Sequence, residues 1–91
     1  MNKKYRISPE VLSSRLDDEV VLLSIQGGFY YSLEPVASRI WIILSERPAT
    51  LTELVEHLME EFDVDPETCI QDVMSFIDDM KAKKLILSAE E

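Results

Sequence analysis

The chain is poor in the residues that build most reactive sites. Its 91 residues include one cysteine, one histidine and two glycines. A single thiol, Cys69, closes no internal disulfide and offers no metal-ligand spacing. Cys69 falls on an apolar helical stripe and reads as a small core residue. No Cys–His–acid set accompanies it to make a thiolate nucleophile. His57 falls on the polar side of a helical stretch and reads as a solvated surface residue. Gly27 and Gly28 are adjacent but lack the rest of any phosphate-cradling loop, and read as a hairpin turn. The acidic run Glu60, Glu61, Asp63, Asp65 and Glu67 lacks the central glycine and the spacing of a calcium loop. The sequence therefore predicts no catalytic residue, no metal site and no cofactor, and a binding protein rather than an enzyme.

Positive charge is also scarce. Nine Lys and Arg stand against eighteen Asp and Glu, a net charge of −9. Such a surface repels phosphate and anionic lipid. No apolar run approaches the length of a membrane span. Lys3 and Lys4 are followed by polar residues rather than the apolar core of a signal peptide. The expectation is one domain over residues 1–91, cytoplasmic, with neither nucleic acid nor membrane as partner.

What is present falls into two halves of different period. Tyr5 and Ile7 alternate with polar residues as a short first strand would, and Val11 to Leu16 is a further strand candidate ending at an Asp17-Asp18 turn. Val20 to Ile25 is β-branched and almost wholly apolar, which suits a strand covered on both faces or lying in mid-sheet. Gln26-Gly27-Gly28 forms the next turn. In the strand Phe29–Leu33 that follows, Phe29, Tyr31 and Leu33 share one face, expected in the core, and Tyr30 and Ser32 share the other. From Pro35 the period becomes helical. A first helix carries Val36, Ile40, Ile43 and Leu44 and ends near Ser45–Pro48. Thr50 and Glu53 form a capping box for a second, whose apolar face is Leu54, Val55, Leu58, Met59 and Phe62. Asp65-Pro66 opens a third, with the stripe Cys69, Ile70, Val73, Phe76, Ile77 and Met80 and lysines at its end. Leu85 to Leu87 is a short apolar tail able to form a strand. The predicted fold is α+β and winged-helix-like: an N-terminal three-stranded antiparallel sheet followed by three α-helices.

A winged helix raises the question of DNA. Its third helix would enter the major groove, but here that helix carries Glu67, Asp72, Asp78 and Asp79, with lysines only at the end. Affinity for DNA requires cations on phosphates, so this helix opposes it. Peptide or protein binding remains. In a meander Phe29–Leu33 is an edge unless the Leu85–Leu87 tail covers it. It holds none of the lysine, proline or bulge that normally blunts an edge, so its backbone suits β-strand addition by a peptide.

Two segments carry a resemblance, VVLLSIQGGFYYSLEPVASRIWIILSE and TLTELVEHLMEEFDVDPETCIQDVMSFIDDMKAKKLI. The ordered set of the apolar strand, the Gly-aromatic-Tyr-x-Leu turn and strand, Ile40-Trp41 and Asp72-Val73-x-x-Phe76 resembles the PqqD-like family of RiPP recognition elements. These small proteins bind the leader peptides of ribosomally made precursors. The resemblance runs from about Val11 to Ile86. It implies a leader peptide added as a strand along Phe29, Tyr30, Tyr31, Ser32 and Leu33, packed against a third-helix face that includes Asp72, Val73, Phe76 and Met80. It also implies presentation of the precursor to a leader peptidase and/or macrocyclase, as in lasso-peptide clusters, which the chain most resembles. The alternatives are a PQQ-pathway peptide chaperone serving a radical SAM enzyme, or an acidic winged-helix interaction or regulatory domain. One departure from the family is visible: Glu34 stands where Asn, a better N-cap, is usual.

Overall fold

The apolar stretch after Glu19 forms the centre of an antiparallel meander. In the computed structural model, which describes residues 3–17, 19–25 and 27–88, β2 (Val11–Leu16), β3 (Glu19–Ser24) and β4 (Tyr30–Leu33) lie in the order β2-β3-β4. β3 is central, as its composition predicts, but it is covered on one face only. Val20 and Leu22 point into the core, while Val21 and Leu23 are half-exposed on the outer face. Ile25 lies beyond the strand and is exposed. The turn between β2 and β3 takes Asp17 to φ 57°, a left-handed conformation aspartate tolerates. The expected turn partner Asp18, and Gln26 of the next turn, lie outside the described residues. Gly28 supplies φ 70° between β3 and β4.

Each helix begins where its capping residues place it. α1 (Pro35–Glu46) has Pro35 in its first turn, and Glu34 caps it without a side-chain hydrogen bond. α2 (Leu51–Glu61) has a complete capping box: the Glu53 N–H donates to Thr50 Oγ1 at 3.1 Å, and the Thr50 N–H donates to Glu53 Oε1 at 2.9 Å. That backbone bond from Thr50 holds the Glu53 carboxyl below its ordinary pKa. α3 (Pro66–Ala82) starts at Asp65, whose carboxylate accepts from the Thr68 N–H at 3.2 Å. The apolar stripes are narrower than the sequence suggested: Met59 on α2 and Ile70 on α3 face outwards. Leu22, Trp41, Leu54, Leu58, Val73 and Ile77 are buried at the centre. The aliphatic side chains among them each contribute about 1.5–3 kcal/mol through burial.

A second sheet accompanies the meander. β1 (Lys4–Ile7) lies between β5 (Ala49–Thr50) and β6 (Ile86–Ser88), antiparallel to both. The route to β6 is set by the end of α3. Lys84 adopts φ 62°, the Leu85 N–H donates to Met80 O at 2.9 Å and the Lys84 N–H to Lys81 O at 3.0 Å. These two bonds make a Schellman cap, with Leu85 and Met80 both buried beside it. The turn sends the tail to β1, so Ile86–Ser88 does not cover β4.

Candidate functional site

β4 pairs with β3 on one side, and no described strand pairs with its other side. The direction of its backbone groups follows from the alternation of an antiparallel ladder. The Ser24 N–H donates to Phe29 O at 2.9 Å, so Phe29, and by alternation Tyr31 and Leu33, turn their backbone groups towards β3. At the far end a side chain completes the ladder: the Val20 N–H donates to Ser38 Oγ and the Ser38 hydroxyl donates to Leu33 O, both at 2.9 Å. Ser38 is fully buried, so this bridge fastens the end of β4 to α1. Tyr30 and Ser32 are left with their N–H and C=O groups aimed at the open edge.

The side chains divide as the strand period requires. Leu33 is buried, Tyr31 is half-buried against the core, and Tyr30 and Ser32 are exposed on the outer face. Phe29 differs from expectation twice. It precedes the strand rather than starting it, and it is 59% exposed rather than in the core. Its ring lies 6.5 Å from that of Tyr31, folded over Gly27, where an added Cβ would meet it at 2.6 Å. Gly27 thus gives the ring its place.

α3 forms the facing wall. Of the four residues expected there, Asp72 is exposed and Phe76 half-buried, and both line a groove of about 530 Å³ that continues onto Val36 and Ile40 of α1 and is rimmed by Glu34 and Asp79. Val73 and Met80 are buried behind this surface and support it from within. At the other end of β4 a second hollow is lined by Phe29, Tyr31, Lys83 and Leu85 and reaches across the sheet to Ser24 of β3 and Val11 of β2. Between the two hollows, Lys83 Nζ pairs with Asp79 Oδ2 at 2.7 Å and lies 5.2 Å from the Tyr31 ring centroid. Glu34, Asp79 and Lys83 were not among the expected site residues. The i,i+4 spacing of Asp79 and Lys83 is a sequence signal for their pairing, but their position beside β4 is a product of the tertiary fold.

The remaining candidates have structural roles. Cys69 is buried, and burial, with the Asp72 carboxylate adding, pushes its thiol pKa up, away from thiolate character. Asp65 caps α3, and Glu61 pairs with Arg39 at 2.7 Å. His57 is half-buried rather than fully solvated. Among the described residues no cluster of ligating side chains could hold a metal ion, and no helix is long and apolar enough to cross a membrane.

Comparison with curated proteins gave no match. Two solved structures are similar. One, TbiB1 in complex with the TbiA(beta) leader peptide, is 38% identical with a TM-score of 0.83, over 94% of this chain and 99% of that one. The other, lasso peptide synthetase B1 complexed with the leader peptide, is 23% identical with a TM-score of 0.76, over 91% of this chain and 96% of that one, and shares the fold. The family model described as Coenzyme PQQ synthesis protein D (PqqD) matches residues 19–86, and with most of its length so matched the chain belongs to the PqqD family.

Proposed function

We propose that the chain is a non-catalytic peptide-binding domain that captures the leader peptide of a ribosomally made precursor as a fourth strand on β4. The observation that carries the reading is the unpaired edge itself, with the Tyr30 and Ser32 backbone groups aimed outwards beside a groove walled by α3. Backbone pairing supplies affinity, and the hollows on either side of the Asp79–Lys83 pair supply the choice of side chains. Phe29, Tyr31, Asp72 and Phe76 are the side chains that meet the leader, and Leu33, Val73 and Met80 shape the surface from behind.

The bound precursor is presented to a separate enzyme, a leader peptidase and/or macrocyclase, in the cytoplasm. The lasso type is favoured over a PQQ-pathway chaperone for a radical SAM enzyme. Its support is the 38% identity with TbiB1, a protein seen holding a leader peptide, and a fold shared with lasso peptide synthetase B1.

The test is a titration with fluorescent TbiA(beta) leader peptide. The parent chain is expected to bind, and Tyr30→Pro and Ser32→Pro to bind at least about ten-fold more weakly. Each removes one outward donor and places a ring in the path of the added strand, while the bonds to β3 remain. Parent-like affinity in both folded proline variants would exclude the edge as the site.

A further inference from the structure

We propose that the cleft selects charge as well as shape: the leader that binds here carries a lysine or arginine, upstream of the centre of its bound segment, that crosses Glu34 and Asp72. The inference rests on the leader-binding reading above and specifies the chemistry of the ligand.

The two ends of β4 differ in charge. Beyond Leu33 the groove has an apolar floor of Val36, Ile40 and Phe76, and its rim carries the carboxylates of Glu34, Asp72 and Asp79. Asp79 is already held by Lys83 at 2.7 Å. Among the described residues neither Glu34 nor Asp72 has an ion-pair partner. Both are exposed, so each remains available to a ligand. An apolar floor with an acidic rim fits a long cationic side chain: the methylene stem lies along Phe76 and Val36 and the charged head reaches the carboxylates. A glutamate or aspartate at the same place would meet two like charges.

At the other end, near Tyr31, the hollow is lined by Lys83 and Lys84 with Glu10 as its single acid. The ends are therefore unlike, and the difference gives the peptide a direction. Every strand pair in this sheet is antiparallel, and a fourth strand that continues the pattern runs opposite to β4. Because β4 runs from Tyr30 towards Glu34, the upstream part of the peptide lies at the acidic groove and the downstream part at the lysines.

The experiment is a charge scan. Each position of the TbiA(beta) leader peptide is replaced in turn by lysine and by glutamate, and binding is followed by fluorescence anisotropy at low salt with the parent chain, Asp72→Asn and the double variant Glu34→Gln/Asp72→Asn. The expected result is one or two positions, upstream of the centre of the bound segment, where lysine binds about ten-fold more tightly than glutamate. The preference should shrink in the single variant, fall to about two-fold or less in the double variant, and weaken as salt is raised. Three results would overturn the proposal: an equal lysine preference at every position, as the overall −9 charge alone would give; a sensitive position downstream of the centre; or a preference that survives in the double variant. Failure of the unmodified leader to bind is a separate outcome and would remove the leader-binding reading itself.

Discussion

The two sheets of this chain are assembled from different kinds of pairing. The β2-β3-β4 meander joins neighbours in sequence through two short turns, with partners such as Leu16 and Glu19, three residues apart, and Leu22 and Tyr31, nine apart. The β5-β1-β6 sheet joins a strand near the start of the chain to one from its middle and one near its end: Tyr5 pairs with Ala49 on one side and Ser88 on the other. The first sheet carries the proposed site. The second decides that the site is open, because it takes up Ile86–Ser88, the apolar segment that could otherwise have extended the meander. A binding edge thus depends on a strand pairing elsewhere in the fold.

Breaking the second sheet should have the largest effect on stability. Ile86 is 1% exposed and pairs with Ile7, so Ile86→Ala is expected to lower unfolding free energy by about 2–5 kcal/mol in denaturant melts. A single cooperative transition would show that the distant strands belong to the same folding unit as the meander. A loss under about 1 kcal/mol would mean that the second sheet is an appendage.

A smaller effect comes from the bridge that fastens the meander. Ser38→Ala leaves the buried Val20 N–H without its acceptor and frees Leu33 O, at an expected cost of about 1–3 kcal/mol. Hydrogen exchange should quicken at the Leu33 end of β4 and leave β1 unchanged. Uniform quickening in both sheets would break the distinction drawn between them.

The switch between sheets at Lys84 can be strengthened. Its φ of 62° is strained for lysine and free for glycine, so Lys84→Gly is expected to raise unfolding free energy by about 0.5–1 kcal/mol. A loss of stability would show that the Lys84 side chain contributes more than its backbone costs.

The smallest effect concerns pH at the junction of β5 and α2. Glu53 has its folded pKa depressed by the Thr50 N–H, so its contribution is present above the ordinary glutamate range and is lost as pH falls through the folded value. The parent should lose stability on acidification relative to Glu53→Gln, and thermal melts of the two should converge at low pH. Parallel curves across the whole range would assign the acid sensitivity to other carboxylates.

Much of this was legible because it is local. The Thr50–Glu53 capping box, the Asp65-Pro66 start of α3, the central β3 and the glycine turn before β4 each depend on contacts within a few residues, and each appears as its residue types dictate. The open edge was readable as a possibility, since Tyr30 to Leu33 contains no blunting residue. The misplacements were failures of solvent exposure rather than of period. Phe29 has the right parity for the core, but it lies beyond the end of the strand and folds over Gly27 instead. Met59 and Ile70 sit at the margins of their stripes, where a neighbouring element decides between core and solvent.

By itself the sequence determined the three helices, the strands of the meander and their order, because capping, turn conformation and hydrophobic period act over one to four residues; β5, two residues long, is set only by its pairing with β1. Only the tertiary structure decided where Leu85 to Ser88 goes, that a buried serine closes the ladder between Val20 and Leu33, and that Glu34 and Asp72 face the same groove. Those outcomes depend on which distant surfaces meet, and a segment able to pair with either of two strands is assigned by the packing of the whole core, not by its own residues.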